Sequence, residues 1–248
     1  MQPADLILFL FVMAAGSYIQ TLTGFAMGLI VMGAVTIFHI APVAFSAVVV
    51  SIMALLNTAL ALRREHHVVN WKMVILICAG ALPAVAAGLY LLNHLSTSST
   101  LVLRLLLGSF ILTSGFLLML RPHPRIKPSP GTVSLLAGII GGLFGGLFST
   151  AGPPIVYHLY RQPLSISAIR TTLYAVFAIS TITRISLVGL NGEITWDILK
   201  LSLMSAPLVA GLTLLGKKFR PPLSDLVMRR GAFGLLMLLG AFLVVTSL

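Results

Sequence analysis

Apolar residues run along this chain in long blocks separated by short polar stretches, near 5–38, 41–62, 73–92, 101–120, 132–160, 171–190, 197–215 and 231–248. A helix crossing a bilayer core needs roughly 20 apolar residues, which fits most of these blocks as single crossings. The first, 34 residues long, and the fifth, 29 residues long, are too long for one crossing and too short for two. Both carry helix-breaking interruptions, Thr23-Gly24 in one and Ser149-Thr150-Ala151-Gly152-Pro153-Pro154 in the other. The pattern predicts an all-α integral membrane protein of eight hydrophobic segments, with segments 1 and 5 broken into re-entrant helical hairpins.

The chain also resembles itself at an offset near 125. Trp71 matches Trp196, Pro83 matches Pro207, Arg104 matches Arg229 and Gly115 matches Gly240. The breaks follow the same phase, with Thr23-Gly24-Phe25 opposite Ala151-Gly152-Pro153. One transmembrane domain built from two four-segment repeats, 1–127 and 128–248, is expected.

Composition agrees with a lipid solvent, since 58% of residues are hydrophobic and only 8% charged. The formal net charge of +11 changes the picture through its placement. Its carriers lie between apolar blocks, where Lys and Arg set membrane orientation, so nucleic acid is not expected as a partner. If all eight segments cross once, the 16 Lys and Arg residues divide evenly between the two sides and give no orientation. If segments 1 and 5 instead leave on the side they entered, the linkers 62–72, 121–131, 161–170 and 216–230 share one face. Only Arg104, Arg184 and Lys200 then fall toward the other. That arrangement obeys the positive-inside rule for a multi-pass protein of the cytoplasmic (inner) membrane. It places both termini, the His94 loop and the Glu193 loop outside. It also makes the two repeats inverted, and broken helices at membrane depth are tolerated where they line a cavity.

Other chemistry is sparse. Cys78 has no partner in the chain and reads as a packing residue. No Lys or Arg precedes Arg63, so the first segment lacks the start of a cleavable signal and is expected to stay. Asp5, Glu65, Glu193, Asp197 and Asp225 all sit at segment ends or in loops, which leaves no acidic pair in the core for an intramembrane enzyme. Ser149 with His158 is the remaining nucleophile–base combination, without a motif to orient it. His66 and His67 have no further ligands nearby, so no metal site is expected, and no cofactor either.

The breaks are the candidate binding site. A helix starting at a hairpin tip has N–H groups without intrahelical acceptors, and with the helix dipole these make an anion site. Gly24 and Gly152 would let backbone approach a ligand, Pro153 suits a first helical turn, and Gln20, Thr23, Ser149 and Thr150 can add donors. Phe25 and Ala151 complete the tips. The alternative is that these small residues only permit close helix packing. Arg184, about two turns inside the sixth segment, either helps bind the anion or reaches the interface with its long side chain. Asn57, at a similar level of the second segment, either contacts substrate or joins helices. Tyr157 and His158 follow the second break and either meet substrate or pack.

These pieces resemble the sulfite exporter TauE/SafE family of membrane permeases. The resemblance is carried by Gln20-Thr21-Leu22-Thr23-Gly24-Phe25-Ala26-Met27-Gly28 and by the glycine-rich run from Gly141 to Pro154. The turns Val69-Asn70-Trp71 and Gly192-Glu193-Ile194-Thr195-Trp196 carry it too. It implies a permease for a small sulfur-containing oxyanion or sulfonate, such as sulfite or sulfoacetate, moved outward. With the residues above, the expectation is an exporter working by alternating access, with the anion held at the two tips. A passive anion channel or a structural membrane subunit is the alternative. The expected partners are the anion and the lipid bilayer, and the sequence leaves the oligomeric state open.

Overall fold

The computed structural model describes residues 2–62, 68–119 and 126–219, and the last helix over 225–247 with its side chains from 230 onward. Arg63, Arg64, Arg121, Arg125, Arg220 and the His66-His67 pair, all read above as loop residues, lie outside the described residues, as do the side chains of Asp225 and Arg229. Among the described residues the chain is all helical: α1 (Pro3–Thr23), α2 (Met27–Ile37), α3 (Val43–Leu62), α4 (Trp71–Ser98), α5 (Thr100–Met119), α6 (Gly131–Phe148), α7 (Gly152–Tyr160), α8 (Ile166–Leu190), α9 (Trp196–Lys218) and α10 (Asp225–Ser247). Eight of these are long and apolar enough to cross a membrane, and α2 and α7 are the short exceptions.

The breaks fall where the sequence put them. Gly24 and Ala26 take positive φ angles of 90° and 93°, so the backbone reverses after α1. Ser149, with φ of 57°, does the same after α6. Each short helix folds back on its predecessor. Gly16 faces Met27 and Val31, and Gly141, 125 residues later, faces Ala151 and Ile155. Helix starts repeat as well. Asn70 caps α4 by accepting from Met73 N–H, and Thr195 caps α9 by accepting from Ile198 N–H, so Trp71 and Trp196 each open a helix.

Pairing directions follow from the contacts. Gly108 meets Leu243 and Val244, Leu112 meets Gly240, and Gly115 meets Phe233 and Met237, so α5 and α10 run antiparallel. Likewise Ala47 and Ser51 meet Arg184, whereas Asn70, beyond the end of α3, meets Thr172; α3 and α8 are antiparallel. Helices α4 and α6 run parallel, with Ile77 against Gly138, Ala81 against Gly142 and Val85 against Gly146. Side chains tie the corresponding ends. Asn93 Nδ2 donates to Glu193 Oε1 at 2.7 Å, and at the opposite end Gln162 Nε2 donates to Ser129 Oγ at 2.9 Å. The starts of α4, α6 and α8 and the end of α9 therefore gather at one end of the bundle, and the start of α1 with the ends of α4, α8 and α10 at the other.

The tightest contact is α4 on α6. A Cβ at Gly80, Gly88, Gly138, Gly142 or Gly146 would run into a backbone carbonyl of the facing helix. Only glycine lets the two backbones come this close. Cys78 is buried on α4 beside this contact.

Candidate functional site

The two hairpin tips touch. A Cβ at Gly28 would lie 2.7 Å from Ser149 O and 3.0 Å from Thr150 Cβ, so a side chain here would push the tips apart. Across the same contact, Gly152 faces Phe25 and Phe177. Around the tips lies a cavity with about 530 Å³ of empty space, its open mouth included. Its wall takes residues from both hairpins and from α3, α4 and α8.

Seven of the candidate residues line this cavity: Gln20, Phe25, Ser149, Thr150, Ala151, Gly152 and Arg184. The other five do not line it. Thr23 Oγ1 lies 2.8 Å from both Ile19 O and Phe25 O and braces the turn. Gly24 supplies that turn's left-handed residue and packs against Arg170 and Leu173. Pro153 is buried in the first turn of α7. Tyr157 is half-buried, with the Arg161 guanidinium 5.6 Å from its ring centre. Asn57 is fully buried and donates through Nδ2 to Ser17 O, Thr21 Oγ1 and Thr213 Oγ1, at 3.2, 3.0 and 2.7 Å. It also accepts from Gln20 Nε2 at 3.0 Å, so it reaches the cavity only through Gln20. His158 likewise turns away from the cavity, with Nε2 2.9 Å from Ser134 Oγ.

Arg184 is the most unusual side chain here, only 2% exposed in the middle of an apolar bundle. Its guanidinium carries five N–H groups and stays protonated in proteins. Nε donates to Gly146 O at 3.0 Å, and Nη1 donates to Ala47 O at 3.2 Å and to Ser51 Oγ at 2.8 Å. Ser51 Oγ is in turn 2.7 Å from Ser149 Oγ at the second tip. Nη2 is buried with no acceptor, and so is the hydroxyl of Ser180 one turn earlier on the cavity wall. Leaving a buried donor unmet costs about 1–3 kcal/mol, and more for a charged one.

The helix starts point the same way, with one modification. Helices α2 and α7 begin at Ala26 and Ala151 without a side-chain cap, whereas α4, α8 and α9 are capped by Asn70, Ser165 and Thr195. Yet Met27 N–H already donates to Gln20 Oε1 at 3.3 Å, and Pro153 and Pro154 carry no N–H. The tips offer fewer free backbone donors than the sequence suggested.

Sequence reasoning missed several wall residues. Gly28, Ala54, Thr58, Phe177, Ser180 and Thr181 all line the cavity. Ser180 could have been found, because it lies one helical turn before Arg184 on the same face.

Eight membrane-length helices around a partly open cavity with a cation in its wall fit a multi-pass membrane protein of the transporter class. The chain belongs to the sulfite exporter TauE/SafE family, whose description matches residues 8–243. Among its relatives is a probable sulfite/organosulfonate exporter TauE from Cupriavidus necator (strain H16), 37% identical over 236 residues that cover 95% of this chain and 92% of the relative. No solved structure gives a significant match.

Proposed function

We propose that this protein exports a small sulfur-containing oxyanion or sulfonate, such as sulfite or sulfoacetate, across the cytoplasmic membrane by alternating access. The observation that carries this reading is Arg184, a buried guanidinium whose Nη2 has no acceptor and which lines the cavity at the hairpin tips. The name of the Cupriavidus necator relative supports the substrate class. Among the described residues the wall offers donors and no carboxylate, histidine or lysine, which suits binding and release rather than acid–base chemistry.

The repeats 1–127 and 128–248 are read as inverted halves. Support comes from the antiparallel pairing of α5 with α10 and of α3 with α8, helices that correspond under the offset of 125. In this reading both hairpins are re-entrant, both termini are outside and the basic linkers face the cytoplasm. Thiol labelling of Arg125→Cys and Glu193→Cys in intact cells tests the topology, which requires opposite sides. Labelling of both from one side would sink it.

The site is tested by thermal shift of purified protein with sulfite, sulfoacetate and acetate. Arg184→Gln is expected to abolish stabilisation by the sulfur anions. An unchanged response in a folded Arg184→Gln protein would remove the cavity as the binding site.

A further inference from the structure

The guanidinium of Arg184 is fixed in place from behind. Nε donates to Gly146 O on α6, and Nη1 donates to Ala47 O and Ser51 Oγ on α3. Two of these acceptors are backbone carbonyls, which any sequence supplies. The third is a side chain chosen by the sequence. Ser51 is fully buried and is not part of the cavity wall. Its Oγ lies 2.8 Å from Arg184 Nη1, 2.7 Å from Ser149 Oγ and 2.8 Å from Ala47 O. One hydroxyl thus joins two residues that do line the cavity, Arg184 on α8 and Ser149 at the second hairpin tip. At the offset of 125, Ser51 and Arg184 correspond to Val176 and Ala59, so the shared plan of the repeats does not demand this joint.

From this we infer that Ser51 is a positioning residue of the anion site, holding Arg184 and Ser149 ready for the ligand without touching it. The inference rests on the proposed anion site and adds a residue behind its wall. Hydrogen counting gives the hydroxyl a second part. A serine has one hydrogen and two lone pairs, and a guanidinium only donates, so Arg184 always occupies one lone pair of Ser51. In one arrangement Ser51 donates to Ala47 O and accepts from Ser149, whose hydrogen is then spent. In the other, Ser51 donates to Ser149, and Ser149 turns its hydrogen to the ligand. Ala47 O keeps an N–H of Arg184 in both. An oxyanion selects the second arrangement through two hydroxyl rotations that leave no buried carbonyl unmet. A carboxylate at this position would pair with Arg184 and compete with the ligand, whereas a hydroxyl accepts the N–H without cancelling the charge.

The test is a calorimetric titration of the purified full-length protein with sulfite and with sulfoacetate. Ser51→Ala is expected to weaken binding about 10-fold, near the worth of one hydrogen bond, because the ligand must then order Arg184 and Ser149 itself. Ser149→Ala is expected to weaken it similarly. A double-mutant cycle separates this role from general packing, since the double variant should fall well short of the ~100-fold that independent effects would give. Ser51→Cys is nearly the same size but a weaker hydrogen-bonding group. It guards against an alanine variant that does not fold, and it too should bind less tightly than the unaltered protein. Unchanged affinity in Ser51→Ala or Ser51→Cys, or full additivity in the cycle, would overturn the role of Ser51. If Arg184→Gln still abolished binding in that case, the anion site would stand. If the unaltered protein binds neither anion, both readings fall.

Discussion

Two contacts that correspond under the repeat are built from different material. Helix α4 meets α6 through Gly80, Gly88, Gly138, Gly142 and Gly146, backbone against backbone. The corresponding contact joins α9 to α1, and 125 residues away from those glycines stand Ser205, Thr213, Met13, Ser17 and Thr21. Here the helices are held by hydroxyls and by Asn57, which reaches α1 and α9 from α3. The difference is one of replaceable and irreplaceable contacts. Thr21, Ser205 and Thr213 each also donate to a carbonyl four residues earlier in their own helix. They would keep that bond if α1 and α9 separated. The glycines have no such fallback, because close packing is all they contribute. The two contacts share a plan and differ in what holds them.

Substitutions can break or sharpen that contrast. The largest effect is expected from Gly142→Leu, whose side chain must enter the carbonyl of Ala81. A loss of more than about 3 kcal/mol is expected, read as failure to recover monodisperse protein by size exclusion. Normal recovery would refute the backbone contact. Asn57→Leu comes next, since it leaves Gln20 Nε2 without its acceptor and unties three helices. A cost of about 2 kcal/mol should lower the thermal midpoint and speed hydrogen exchange in α1 before α6. Equal exchange in both hairpins would erase the claimed difference. Thr213→Val removes one hydroxyl that has an alternative acceptor, and about 1 kcal/mol is expected in the same melt. Smallest is Gly211→Ala on α9, with nothing within 4 Å of the added carbon. It should stabilise by about 0.5 kcal/mol, and a loss would mean that this glycine is also a packing site.

What the sequence made legible tracks how costly each feature is in a membrane. The two breaks were visible because Gly24 and the Pro153-Pro154 pair interrupt apolar runs of the wrong length. Arg184 was visible because a buried cation is expensive. Trp71 and Trp196 marked the repeat because tryptophan is scarce and both sit just past a capping residue. The facing of each helix was not legible. In a soluble helix polar residues mark the outside, but here both the lipid face and the core face are apolar, so periodicity carries no signal. That is why Ala54 and Phe177 were missed, and why Tyr157 and His158 were weighed as site residues although α7 turns both away from the cavity.

Cys78 turns this architecture into a gauge. It is the chain's one thiol and is buried on α4 beside the glycine contact with α6. The unaltered protein is therefore already a single-cysteine reporter whose modification clock starts only when α4 and its surroundings open. Maleimide uptake over time, followed by mass, would count those openings in the native chain without any added label, and would show whether occupying the cavity slows them.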